Sequence, residues 1–115
     1  MTQMETVYAL SASMSAEIAA FEAYVAAQRS FTAAMKLRDW TALQTAINAQ
    51  DELARGIADH EARRAEAFEL LRAQTACDAG GMYRVALLVP EPERSALTDL
   101  YRRRKLAARR ARFEH

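Results

Sequence analysis

The sequence predicts an all-α fold: a long antiparallel helical hairpin, with a shorter segment and a C-terminal helix completing a small bundle. Residues 39–75 contain no proline, and apolar or small residues recur along them at alternating steps of three and four. This spacing is typical of a helix that packs along other helices. Alanine supplies much of the 51% hydrophobic content, whereas aromatic residues contribute only 8%. Alanine lets helices approach closely but buries little area, so a thin core in one domain is expected.

The first helix is predicted over residues 4–37. Thr2 and Glu5 have the spacing of a capping box, in which each side chain accepts a hydrogen bond from the other residue's backbone, and residues 15–17 offer a second start. Residues 36–39 form a short connection, so the first two helices are expected to be antiparallel neighbours. The apolar face of this helix includes Leu10, Met14, Ile18, Phe21, Val25 and Met35.

The second helix is predicted over residues 40–76. The carboxylate of Asp39 suits an N-cap, because it accepts hydrogen bonds from the free N–H groups of the first turn. The chain then passes through residues 77–81, which end in Gly80 and Gly81. A glycine takes the left-handed conformation of a helix C-cap without steric cost, so these residues indicate where the helix stops.

Two features interrupt the apolar seam of the second helix. A glycine at position 56 lowers the stability of a helix by about 1 kcal/mol relative to alanine. Close packing against a neighbouring helix is favoured over a hinge as the reason for its presence. The seam then turns polar at Glu61 and Arg64. These side chains either form i,i+3 and i,i+4 pairs on a solvated face or mark the point where the seam leaves the core.

The remainder of the chain is predicted to form a short helical segment over residues 82–88 and a last helix over residues 92–113. The pattern of the short segment is also compatible with a strand, but no second strand is predicted for it to pair with. Pro92 suits the first position of the last helix, because its φ angle is fixed near helical values. One face of this helix carries Leu97, Leu100, Tyr101, Arg104 and Ala108.

Residues that carry enzyme chemistry are scarce in this sequence. The single cysteine, Cys77, excludes an internal disulfide and has no base near it in the sequence. His60 lacks the glutamate three residues earlier that a helical di-metal site needs, and His115 has the position of a purification-tag residue. No phosphate-binding glycine loop or nucleophile elbow is present. The sequence therefore predicts no enzyme activity, no metal site and no cofactor.

The charge is distributed unevenly along the chain. The net charge is +1, yet seven of the sixteen basic residues lie within residues 102–112. Residues 1–101 hold nine basic and fourteen acidic residues, which leaves −5 on the body of the protein. A basic helix end is compatible with binding RNA or DNA, a membrane surface or an acidic protein. It is also compatible with a solvated helix end that binds nothing, because cations are favoured at the negative end of the helix dipole. Nucleic acid is not favoured, because only Tyr101 and Phe113 offer a stacking surface.

The order and spacing of several short motifs resemble the FlgN-like family of flagellar type III export chaperones. The likeness extends from the first helix to the last. It rests on Asp39-Trp40-x-x-Leu43, on Glu52-Leu53 followed by Ile57, on Glu61-x-x-Arg64 before Leu70-Leu71, on Leu87-Leu88-Val89-Pro90, and on Leu97 to Leu100.

This resemblance implies a cytoplasmic chaperone, built as a helical bundle with coiled-coil packing, that binds hook-associated proteins of the hook–filament junction before secretion. The C-terminal helices of the client would pack on an apolar face of the chaperone's C-terminal helix, and the export apparatus would be a further partner. The chain shows no signal-peptide pattern and no run of roughly twenty apolar residues, which agrees with that location. The client-binding residues expected from this resemblance are Leu97, Leu100, Tyr101, Arg104 and Ala108. The protein is expected to be a monomer or a dimer.

Two other classes of function stay open from the sequence. One is a small helical protein that binds RNA or DNA through its basic C-terminal helix. The other is a structural coiled-coil subunit whose exposed seam forms a homodimer. The polar positions at Glu61 and Arg64 argue against a long parallel dimer, because they interrupt the apolar seam that such a dimer needs.

Overall fold

The computed structural model describes residues 1–77 and 80–112, and it confirms the predicted all-α class. The described residues are 85% helical, and no strand occurs among them. Each predicted helix boundary within those ranges lies within two residues of the observed one. The predicted end at Phe113, the tag position His115, and Asp78 and Ala79 of the predicted stop lie outside the described residues. In the described ranges the chain forms four helices: α1 (Gln3–Leu37), α2 (Trp40–Gln74), α3 (Met82–Ala86) and α4 (Glu93–Ala111).

The predicted capping box at the start of α1 is confirmed. The Thr2 hydroxyl accepts a hydrogen bond from the Glu5 N–H at 3.1 Å, and the Glu5 carboxylate accepts one from the Thr2 N–H at 3.4 Å. The helix then continues without a break through residues 15–17, so the second start is wrong. It ends where Arg38 adopts a left-handed φ of 53°, which turns the chain into α2.

The N-cap of α2 is confirmed, whereas its predicted glycine stop is wrong. The Asp39 carboxylate accepts a hydrogen bond from the Ala42 N–H at 3.0 Å. At the other end Ala76, not a glycine, takes the left-handed conformation, with φ of 55°. The Cys77 N–H then donates to the Arg72 carbonyl at 3.0 Å. This bond closes the last turn of the helix before the chain reaches Gly80.

Gly56 does not mark a close approach of two helices, and the packing explanation predicted for it is wrong. A Cβ atom added there meets no other atom within 4 Å, so the position has room for a side chain. α2 runs unbroken through this residue as a helix.

α1 and α2 form the antiparallel hairpin, and the shorter α4 covers only part of it. α1 and α2 have 35 residues each and α4 has 19, which correspond to about 52 Å and 28 Å. α4 packs along α1, and α3 lies between α4 and the end of α2. The molecule is accordingly elongated, with dimensions of 55 × 23 × 22 Å.

Two clusters of buried apolar side chains define the part of the hairpin that α4 covers. The cluster at the end that holds the N-terminus and α3 contains Val7, Leu10, Met14, Leu71, Met82, Val85, Ala86, Val89 and Leu97. The cluster towards the middle contains Ile18, Phe21, Ile57, Ala107, Ala108 and Ala111, with Tyr24 and Val25 packed against its edge. We call this three-helix part the closed half, and we call residues 26–55 of the hairpin the open half. No helix in the described ranges is both long and apolar enough to cross a membrane.

Candidate protein-binding surface

The α4 face predicted to bind a client is largely used inside the molecule. Leu97, Arg104 and Ala108 are buried, while Leu100 and Tyr101 are partly buried. Leu97 packs in the cluster that contains Leu10, and Ala108 packs in the cluster that contains Phe21. The expectation of a free apolar stripe is therefore corrected for Leu97, Arg104 and Ala108. The physical reason is that the seam of the hairpin needs a third helix to cover it, and α4 supplies that cover.

A buried carboxylate joins all three long helices in the closed half. Glu17 of α1 lies between Arg64 of α2 and Arg104 of α4, and the carboxylate has essentially no exposed surface. Its Oε1 atom accepts a hydrogen bond from the Arg64 Nε at 2.5 Å, and its Oε2 atom lies 3.6 Å from the Arg104 Nη1. Burial raises the pKa of the Glu17 carboxyl, and the two guanidinium groups offset this only in part.

The sequence interpretation missed this cluster. It placed Glu17 in a possible helix start and Arg64 on a solvated face or at the edge of the core. The expected i,i+3 pair exists, since Glu61 lies 3.9 Å from Arg64, but the shorter bond of Arg64 is to Glu17. A usable signal was present: Glu17 follows Met14 by three residues on the apolar face of α1. A charge in such a position is buried and needs a partner on a facing helix.

A groove of about 730 Å³ opens on the hairpin where α4 ends. Val25 and Phe31 of α1 supply its apolar lining, and Gln28 and Gln50 contribute amide groups from both arms of the hairpin. In the described ranges the hairpin continues past this point as two helices, with Ala27, Ala34 and Ala46 buried between them. Small side chains hold the two helices together here and leave the outer face of the pair without a third layer.

The tip of the hairpin exposes three large apolar side chains close together in the sequence. Met35, Leu37 and Trp40 are 52%, 79% and 65% exposed. Because α1 ends at Leu37 and α2 begins at Trp40, these residues surround the turn between the helices. A second exposed pair, Leu87 and Leu88, follows α3 in the closed half. Exposed apolar side chains of the open half therefore continue from the groove to the tip of the hairpin.

The basic tail predicted from the sequence divides into four environments. Lys105 lies over the rings of Tyr83 and Tyr101, with its Nζ atom 5.7 Å and 5.1 Å from their centroids. Arg102 and Arg103 lie 2.8 Å and 3.7 Å from the Asp99 carboxylate on the same helix. Arg104 is buried beside Glu17. Arg109, Arg110 and Arg112 are exposed at the end of α4, next to the groove or lining it.

The described residues contain no group of three or more histidine, cysteine, aspartate or glutamate side chains placed to hold a metal ion. His60 and Cys77, the two reactive residue types singled out in the sequence, lie partly buried on α2 and just beyond it. No protein-family model, curated protein or solved structure gives a significant match to this chain.

Proposed function

We propose that the protein is a cytoplasmic chaperone without enzyme activity, which binds a helical segment of a client protein. The resemblance to FlgN-like flagellar export chaperones supports hook-associated proteins as the client class, with the export apparatus as a further partner. The observation that carries the proposal is the uncovered face of the hairpin beyond α4, where a groove of about 730 Å³ with Val25 and Phe31 in its lining remains open. Binding an amphipathic helix in an apolar groove is a recurring mode of peptide recognition.

The client site under this proposal is the groove of the open half rather than the buried stripe of α4. A client that replaced α4 would expose Leu97 and separate Arg104 from Glu17. Leaving a buried charge without its partner costs about 3–5 kcal/mol, so displacement of α4 is an expensive route to binding. A helix laid beyond the end of α4 breaks none of these contacts. It continues the third layer of the bundle along the part of the hairpin that lacks one.

The proposal is tested by co-purification of the full chain with the C-terminal helical segment of a hook-associated protein. Phe31→Glu places a charge in the groove, and Leu87→Glu places the same charge on an exposed apolar residue of the closed half. We expect the unmodified chain and the Leu87→Glu variant to retain the segment. We expect Phe31→Glu to weaken its affinity about tenfold or more, because an apolar contact at the centre of an interface is lost.

Circular dichroism of each variant controls for loss of the fold. Retention of the segment by Phe31→Glu, combined with its loss in Leu100→Asp/Tyr101→Asp, would move the site to the exposed edge of α4. Failure of the unmodified chain to retain any hook-associated segment would contradict the client class.

A second candidate function is binding of RNA or DNA, and the exposed arginines at the end of α4 favour it. Arg109, Arg110 and Arg112 form no salt bridge with a carboxylate among the described residues. Phosphate binding through such side chains weakens steeply with salt, because counterions are released when the complex forms. Fluorescence anisotropy with a short single-stranded RNA at increasing salt distinguishes this function from client binding. Light scattering at several concentrations tests the remaining class, a structural homodimer.

A further inference from the structure

We infer that the groove of the open half binds an acidic amphipathic helix, with the acidic first turn of that helix against the C-terminal end of α4. This inference rests on the proposed function and adds the chemistry and the direction of the bound segment. It is carried by the charges that surround the groove and by the course of α4 along the hairpin.

The groove is lined by cations from two separate helices. Arg29 and Lys36 come from α1, and Arg110 and Arg112 come from the end of α4. All four are exposed, and no carboxylate among the described residues lines the groove with them. Within the described part of the chain, none of the four forms a salt bridge. Arg102 and Arg103 of α4 differ from these four cations, because both lie within 4 Å of the Asp99 carboxylate.

The nearby Glu22 does not neutralise this group of cations. It lines a smaller cavity of about 190 Å³ beside the groove, together with Arg29 and Arg110. It forms no salt bridge with any described residue, and it is the single carboxylate beside four cations among the described residues that line the groove and this cavity. The groove therefore keeps an excess of positive charge that an acidic ligand complements.

The lining of the groove favours a helix over other acidic ligands. Val25 and Phe31 provide apolar contact for an apolar stripe, and the cations provide ion pairs for acidic residues on either side of it. The uncovered part of α1, from Ala26 to Leu37, is about 18 Å long, which accommodates about three helical turns. A nucleic acid would meet the same cations, but among the described lining side chains Phe31 alone offers a ring for base stacking.

The direction of the bound helix follows from the direction of α4. Leu97 packs near Leu10 and Ala111 packs near Phe21, so α4 runs parallel to α1 and ends at the groove. A helix that continues this line with its N-terminus towards α4 places its first turn beside Arg110 and Arg112. Acidic residues in the first turn of a helix are favoured by the helix dipole and pair there with the arginines. The opposite direction would place those acidic residues about 18 Å away, near the tip.

The probes are three synthetic peptides of about 14 residues that share one apolar stripe at helical spacing. The first carries aspartate and glutamate in its first turn and glutamate beside the stripe; the second has glutamine at these positions, and the third has lysine. Each is titrated into the full chain by fluorescence anisotropy at two salt concentrations. We expect the acidic peptide to bind about tenfold more tightly than the glutamine peptide, with a salt-sensitive affinity, and the lysine peptide to bind most weakly.

The matched variants change the same amount of charge in different places. Arg29→Glu/Arg110→Glu reverses two cations of the groove, and Arg102→Glu/Arg103→Glu reverses two cations that lie outside it. We expect the first variant to lose about tenfold of its affinity for the acidic peptide, and the second to lose less than about twofold, because its charges lie away from the groove. Moving the acidic residues from the first turn of the peptide to the last is expected to weaken binding by about threefold.

Several outcomes would overturn the inference. Equal affinity for the acidic and glutamine peptides, with binding still lost in Phe31→Glu, would leave the helix-binding function intact and remove the charge preference. Equal losses in the two charge-reversal variants would show that the groove is not the site. Displacement of the acidic peptide by a short single-stranded RNA that binds more tightly would assign the groove to nucleic acid. Self-association that disappears in Arg29→Glu/Arg110→Glu would assign it to a second copy of this chain.

Discussion

The closed and open halves are built on the same two helices but differ in what their outer face contacts. In the closed half, large side chains such as Leu10, Met14 and Leu71 are buried under α3 and α4. In the open half, the buried residues of the hairpin include Ala27, Ala34 and Ala46, and the large side chains at the tip are exposed. The third helix therefore decides which positions of the seam become core. The same face of the hairpin is a core in one half and is left uncovered by α3 and α4 in the other.

Under the proposed function, this difference separates stability from binding within a short chain. The closed half holds the apolar clusters and the Glu17 ion pairs, so it carries most of the contacts that stabilise the fold. The open half contributes few buried side chains, and substitutions there affect stability less. A binding surface in such a region is free to change without unfolding the molecule.

The largest effect is expected from removal of the buried carboxylate. Glu17→Ala leaves Arg64 without its 2.5 Å hydrogen bond and removes the nearest described anion of Arg104. We expect a loss of about 3–5 kcal/mol in the free energy of unfolding, measured by urea denaturation. Glu22→Ala, at an exposed position of the same helix, is the control and is expected to change stability by less than about 0.5 kcal/mol. Similar losses in the two variants would contradict a role of the buried ion pairs in joining the helices.

A pair of leucine substitutions compares the two halves directly. Leu97 is fully buried beneath α1, whereas Leu43 in the open half is partly exposed. We expect Leu97→Ala to cost about 3 kcal/mol in the free energy of unfolding and Leu43→Ala about 1 kcal/mol, because a partly exposed site loses less apolar contact and leaves no closed cavity. The comparison is made by urea denaturation. A larger cost at Leu43 would mean that the open half is covered in solution.

The raised pKa of Glu17 predicts a pH dependence that belongs to the closed half. A carboxyl whose pKa is higher in the folded state binds its proton more tightly there, so its contribution to stability is present at low pH. That contribution is lost as the pH rises from the ordinary glutamate value of about 4.3 through the raised value. We therefore expect the stability of the unmodified chain, relative to Glu17→Gln, to fall with increasing pH across this interval.

The measurement is thermal or urea unfolding of both proteins over a pH series. Glu17→Gln keeps the shape of the side chain and cannot titrate, so titrations common to both proteins cancel in the difference. The quantity compared is the free energy of unfolding of the unmodified chain minus that of Glu17→Gln. If this difference stays constant or increases as the pH rises, the raised pKa is contradicted.

The fold was predictable because its signals are local. The 3–4 apolar spacing, the capping box at Thr2 and the N-cap at Asp39 each act within a few residues, and all of them match the structure. The site was less predictable because burial depends on helices that are distant in sequence. One apolar face of α4 is compatible with binding a client or with binding the chain's own hairpin, and spacing alone does not distinguish the two. Similarly, Glu17 and Arg64 are far apart in the sequence, and only the packing of α1 against α2 brings them together.

A smaller effect of opposite sign is expected at Gly56, which lies next to Ile57 at the boundary between the halves. Because a Cβ atom there meets nothing within 4 Å, Gly56→Ala adds a methyl group without a clash. Alanine is favoured over glycine in a helix interior, so we expect the free energy of unfolding to rise by about 1 kcal/mol. Urea denaturation measures this change, and peptide titration of the same variant tests the alternative that glycine serves as a hinge. Gain of stability with unchanged peptide affinity would mean that the open half binds as a rigid extension of the closed half. Loss of affinity in the stabilised variant would mean that the two halves must bend relative to each other for the groove to accept a helix.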